Sequence, residues 1–205
     1  GPVPLPDWAQ RPAPPAFAAP GPLSPSSLGG AKVLPGEADP ALAEAALARG
    51  RALHLLLEHL PGLPRADWPA RAQALAGPAA QPLLEEARAI LDAPDLAPLF
   101  GPDTLAEVPL TGTLLGRRAL GVIDRLVVGP DRVLAVDIKS NRLVPDRPET
   151  VPEGLLRQMG AYAALLAPLF PGRQIDTALL WTATPRLMPL PGALVMAALQ
   201  RAEVA

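Results

Sequence analysis

The sequence predicts an α/β fold: a central mixed β-sheet flanked by helices, with a helical N-terminal layer and an extended proline-rich arm. Three observations carry this reading. Eleven of the 29 prolines fall within residues 1–40. Between residues 42 and 92 the apolar side chains recur at helical spacing, and from Thr104 the pattern turns to strand-length runs rich in Val, Ile and Leu.

In chain order, residues 1–38 combine Pro with Gly and Ser, which leaves no room for regular helix or central strand and reads as a linker or arm. Trp8, Phe17 and Leu23 are its candidate anchors to a surface. A helix is expected next, with Asp39 as N-cap and Pro40 in the first turn. Its apolar positions run through Leu42, Ala46, Leu53, Leu57 and Leu60, and Pro61-Gly62 stops it. Further helices are expected over 66–76 and 80–92. Strands are expected over 105–114, 118–128, 132–139, 175–183 and 186–190, with helices over 152–167 and 192–203. The runs Val122–Val128 and Val133–Ile138 are apolar on both faces apart from Asp124, Arg125 and Asp137, the pattern of central strands covered on both sides. At 205 residues the chain suits one domain, residues 39–205, preceded by the arm.

Composition narrows the function classes. The absence of cysteine excludes disulfides, zinc thiolate sites and an iron–sulfur cluster, and fits a reducing cytosol. No run approaches the ~20 apolar residues of a membrane span. The chain begins with Gly and has no basic segment leading into an apolar one, so it reads as a cytoplasmic segment of a longer polypeptide. The net charge of −2 is unevenly spread: residues 1–110 hold seven Lys/Arg against twelve Asp/Glu, whereas residues 111–173 hold nine against six. A basic excess in the second stretch is what phosphate contacts require. Of the eighteen basic residues only Lys32 and Lys139 are lysine, so a lysine at a special position stands out.

That position lies in Asp137-Ile138-Lys139, thirteen residues after Gly121-Val122-Ile123-Asp124 and joined to it through the turn-like Gly129-Pro130-Asp131-Arg132. An antiparallel hairpin closed about Pro130-Asp131 pairs residues whose numbers sum to 261, which sets Asp124 opposite Asp137. Like charges across a ladder are destabilising unless something positive lies between them. A divalent cation such as Mg²⁺ does so, since hard cations take carboxylate oxygens. Alternation puts Lys139 on the face of Asp137 and turns Ile138 into the core. One face then carries two acids and a base.

These motifs, with Gln158-x-x-x-Tyr162 downstream and a helical His54 in Gly50-Arg-Ala-Leu-His-Leu-Leu-Leu-Glu58 upstream, resemble the RecB-like nucleases of the PD-(D/E)XK superfamily over about residues 40–190. Within them the runs Gly-Val-Ile-Asp-Arg-Leu, Val-Asp-Ile-Lys-Ser-Asn-Arg and Leu-Leu-Trp-Thr-Ala-Thr look like the nuclease domains of the AddA helicase–nucleases. The resemblance implies a restriction-endonuclease-like core that hydrolyses DNA with Mg²⁺ or Mn²⁺ at a site of His54, Asp124, Asp137 and the Ile138 carbonyl. It further implies that Lys139 orients or activates water and that Gln158 and Tyr162 flank the site as catalytic residues. Glu58 would support His54, and Glu107 is a candidate acid. Arg142, Arg125 and Arg157 would contact phosphate. Implied partners are DNA, an AddB subunit and a helicase region of the same polypeptide, acting at double-strand breaks near the bacterial nucleoid. Ser140 and Ile138 depart from the usual Thr and aromatic, and neither change removes a ligand. Two other readings stay open: a module that keeps the fold without the chemistry, and a metal-dependent hydrolase of smaller molecules.

Overall fold

The computed structural model describes residues 21–35 and 43–202. Trp8, Phe17, Asp39, Pro40, Leu42 and Glu203 lie outside the described residues, as does the arm–domain boundary at residues 38 and 39. Three helices, α1 (Ala43–His59), α2 (Trp68–Ala76) and α3 (Ala80–Leu91), precede the strands β1 (Thr104–Leu114), β2 (Arg117–Val128) and β3 (Arg132–Lys139). Helix α4 (Glu153–Leu166), strands β4 (Gln174–Trp181) and β5 (Arg186–Leu190), and helix α5 (Gly192–Gln200) follow. Strand β4 ends before the expected residue 183 because Thr182 opens the turn into β5, its amide donating to the Lys139 carbonyl at 3.0 Å.

The five strands form one mixed sheet in the order β1-β2-β3-β4-β5. All neighbours are antiparallel except β3 and β4, which run parallel with α4 as their crossover. The β1–β2 hairpin turns on Leu115 and Gly116, both at positive φ (50° and 75°), the conformation that follows strand twist in a two-residue turn. The β2–β3 hairpin keeps the sum of 261, from Val128↔Val133 to Arg125↔Val136, and its ladder ends one pair short of Asp124 and Asp137.

Each face of the sheet has its own core. Leu53, Leu57, Leu84 and Ile90 of α1 and α3 pack on Val136, Ile138, Ala178 and Leu180. On the other face Leu155, Met159 and Leu166 of α4 and Val195 of α5 pack on Ile123, Val133, Ala135 and Leu179. Helices α4 and α5 approach closely at Gly160, where an added Cβ would collide with the Val195 carbonyl. The central strands are therefore covered on both sides, as their near-continuous apolar runs predict.

The described part of the arm belongs to this body. Leu23 forms a bridge with Ala119 of β2, and Pro25 and Leu28 are buried. Among the described residues no helix is long and apolar enough to cross a membrane.

Candidate active site

Alternation along β2 breaks at the point where the acids gather. Ile123 and Leu126 are three residues apart, yet both lie in the α4-side core, whereas regular pleating would send them to opposite faces. On β1, Glu107 sits across from this break with φ at 49°, in the left-handed region that non-glycine residues seldom adopt. The paired distortion turns Glu107 and Asp124 toward α1, where the ligand atoms of His54, Glu107 and Asp124 lie within 4.8 Å of one another. Strain of this sort persists only where surrounding structure imposes it.

Asp124 does not face Asp137 through a ladder pair. Its Oδ2 instead accepts the Ile138 amide at 2.5 Å, because the ladder stops at Arg125↔Val136 and frees that N–H for a side chain. The Ile138 carbonyl accepts from His54 Nε2 at 3.1 Å, which leaves Nδ1 directed at Asp124 Oδ1, 3.6 Å away. Asp137 is buried near the end of β3, with Lys139 Nζ at 2.5 Å from its Oδ2 and Gln158 Nε2 donating to its Oδ1 at 2.7 Å. Gln158 also donates to the Tyr162 hydroxyl (3.1 Å), which donates to the Val122 carbonyl (2.6 Å). This chain of bonds ties α4 to both acid-bearing strands.

Burial sets the electrostatics. It raises the Asp124 carboxyl to about 8, with the neighbouring Asp137 charge adding to the effect. Burial also raises Glu107, followed by the charge of Glu58, and it lowers His54. Acids driven toward neutrality beside an imidazole kept neutral make a donor set that lacks positive charge. A divalent cation fits it: two carboxylates and an unprotonated imidazole within ligand range. Asp137 lies in the same cleft, and its oxygens are engaged by Gln158 and Lys139.

The three arginines have different surroundings. Arg125 is a correction to the expected phosphate contact: it is 5% exposed, donates to the Leu57 carbonyl of α1 and stacks 4.8 Å from the Phe100 ring. In a strand covered on both faces its side chain can only run inward, beneath α1. Arg157 reaches the arm, with Nη1 donating to the Leu28 carbonyl at 3.1 Å, and pairs with Glu153. Arg142 is exposed in the segment after β3. Glu58 pairs with His59 at 3.9 Å.

His54, Asp124, Asp137, Lys139, Gln158 and Tyr162 line an open cleft of about 630 Å³, large enough for a nucleotide-sized ligand. Ser24 and Ser26 of the arm line it too, a contribution that no sequence signal announced. A family model described as the PD-(D/E)XK nuclease superfamily matches residues 30–190. The chain belongs to that superfamily. Its five-stranded mixed sheet with flanking helices is the corresponding nuclease-type fold. Among solved structures it is similar to a Eubacterium rectale protein provisionally assigned as an exonuclease, at 11% identity and a TM-score of 0.41. That match covers 70% of this chain and 62% of the other, so the chain spans under two thirds of that protein's length. The protein SSO0001 matches at 15% identity and a TM-score of 0.31, over 73% of this chain and 81% of the other. No curated protein sequence matches the chain.

Proposed function

We propose that this superfamily member is the nuclease domain of an AddA-type helicase–nuclease, an exonuclease that hydrolyses DNA phosphodiester bonds with Mg²⁺ or Mn²⁺. The observation that carries the reading is the convergence of His54, Asp124, Asp137 and Lys139 on one cleft, with the Glu107 carboxylate within 4.8 Å of the His54 and Asp124 ligand atoms. A degenerate copy of the fold would have no physical reason to keep opposed buried acids, whose desolvation is costly without a charged partner.

His54, Glu107 and Asp124 would hold the cation, with Asp137 and the Ile138 carbonyl turned to the same space. When bound, the cation supplies Lewis-acid stabilisation of the attacked phosphate and lowers the pKa of water. The remaining work falls to the protein. Asp137 fixes the Lys139 ammonium at the cleft, where its N–H groups orient the attacking water and a non-bridging phosphate oxygen. Gln158 and Tyr162 fix Asp137 from behind and hold α4 to β2. Water attacks phosphorus in line and gives up one proton to solvent, the bond to the leaving oxygen breaks, and that oxygen takes up a proton from solvent. Imidazole among the ligands favours Mn²⁺ over Mg²⁺.

The wider setting is part of the same proposal: a helicase region of the same polypeptide feeds one strand into the cleft, an AddB subunit completes the complex, and the cut strand is resected before recombination near the nucleoid. Arg142 would meet the strand beyond the cleft. The test is cleavage of labelled single-stranded DNA with Mn²⁺ or Mg²⁺, with EDTA and Lys139→Ala as controls. Metal-dependent cutting lost in the variant supports the nuclease; a folded, metal-loaded protein that leaves DNA intact overturns it.

A further inference from the structure

The chain has two lysines; Lys139 lines the cleft, and Lys32 is bonded to the carbonyl of Ser26, which lines it too. Lys32 is separated from Lys139 by more than a hundred residues, yet its ammonium feels the charges of Lys139 and Asp137, and burial with the Lys139 charge lowers its pKa. The segment that brings it there is fastened along its whole length. Arg117 donates to the Gly21 carbonyl (3.1 Å), Leu23 exchanges backbone bonds with Arg118 and Leu120 (2.7 and 2.8 Å), and Arg157 donates to the Leu28 carbonyl (3.1 Å). At the far end the Gly154 amide donates to the Ala31 carbonyl at 2.7 Å and Asn141 donates to the Lys32 carbonyl at 3.4 Å.

Gly30 makes this fit possible. Its φ is 85°, and a Cβ there would stand 2.8 Å from the Gly154 nitrogen, so the strap lies directly on the first turn of α4. Such close backbone approach is reserved to glycine. Between the fastenings, Ser24 and Ser26 line the cleft with their hydroxyls 2.8 Å apart, and the Lys32 ammonium is bonded to the Ser26 carbonyl. Residues 21–35 contain no acid. At the cleft the strap thus contributes two hydroxyls, with one ammonium bonded to the backbone beside them.

We infer that residues 21–32 are a fixed wall of the active site, and that Lys32, Ser24 and Ser26 form a second phosphate subsite. It takes the phosphate next to the one being cut, on a nucleic-acid strand lying along the cleft. The inference rests on the nuclease reading for its substrate. Its chemistry is ordinary: an ammonium and hydroxyls are the groups that hold a phosphate in register without reading a base. Lys32 here is a positioning residue, since the water and the scissile phosphate sit at Lys139.

The test uses the whole 205-residue chain and a labelled oligothymidylate, with Ca²⁺ present to prevent cutting, and measures affinity by anisotropy across a salt series. Lys32→Ala is expected to weaken binding roughly tenfold at low salt and to reduce the log–log salt slope by about 0.7. Lys32→Arg should restore most of both. In Mn²⁺ Lys32→Ala should raise KM far more than it lowers kcat, and Lys32→Arg should recover most of the change. Wild-type affinity and slope in Lys32→Ala would overturn the inference, as would failure of the wild-type chain to bind the oligonucleotide. Binding without cleavage by the wild-type chain would overturn the nuclease reading alone, and the anisotropy comparison would still decide the role of Lys32.

Discussion

The Ile138 amide donates to Asp124 Oδ2 at 2.5 Å, so the acid on β2 is fixed by the backbone of β3 at the point where their ladder stops. Ile138 itself is packed against the α1–α3 layer. The position of Asp124 therefore depends on the backbone of a core residue that stands directly between Asp137 and Lys139.

Removing either charge of the Asp137–Lys139 pair should slow cutting severely while sparing the fold. Lys139→Ala is expected to lower kcat by about 10²–10⁴, the usual worth of a positioned proton-handling group, and Asp137→Asn by a similar factor. Far-UV circular dichroism should match wild type for both. Wild-type turnover in either variant would exclude the assigned roles.

His54→Ala and Glu107→Ala should both weaken Mn²⁺ binding, measured by titration calorimetry, because their ligand atoms share the same 4.8 Å neighbourhood with Asp124. Gln158→Ala acts one step back, on the carboxylate it orients, and should reduce metal affinity or activity by about 10–100-fold. Unchanged Mn²⁺ affinity in Glu107→Ala would remove Glu107 from the ligand set.

Arg125 should behave as a stability residue. Replacing it with Ala leaves the Leu57 carbonyl without its donor and the Phe100 ring without its cation, an expected cost of about 2–4 kcal/mol. Urea denaturation reads this directly. A variant as stable as wild type but with a shallower salt dependence of DNA binding would return Arg125 to the role of phosphate contact.

Metal-free protein should lose stability as pH rises. An unfolded Asp titrates near 3.8, and burial together with the Asp137 charge raises Asp124 to about 8 in the folded state. The folded chain thus holds this proton more tightly. The stabilisation is complete below pH about 4, declines above it, and is gone once pH passes about 8. Urea midpoints in EDTA should fall between pH 5.5 and 8.5, Asp124→Asn should flatten the fall, and Mn²⁺ should recover stability at pH 8.5 by binding only the folded state. A flat profile in the wild-type protein would contradict the burial of Asp124.

Much of the fold was legible because each strand carries its own periodicity. The limits of β3 and β5 match the expected 132–139 and 186–190, and the β2–β3 register follows from a symmetric turn about Pro130-Asp131. Charges at Asp124 and Asp137 stood out because they interrupt apolar runs. What escaped the sequence depended on contacts between distant parts. The break of alternation at Ile123 and Asp124 leaves no glycine or proline as a marker at either position. The inward course of Arg125 depends on α1 lying over β2. The placement of Lys32, Ser24 and Ser26 depends on a proline-rich segment packing onto α4 and β2, which composition alone read as a tether.

On the proposed function, the two separate cores have a consequence for when this protein could first act on DNA. His54 comes from the layer built first in the chain, whereas Gln158 and Tyr162 come from the layer built after β3, and the acids lie in the sheet between them. A partly synthesised or half-assembled chain holds at most a portion of the proposed site. Completion of folding would thus be the safety catch, released only when both sides of the sheet are clad.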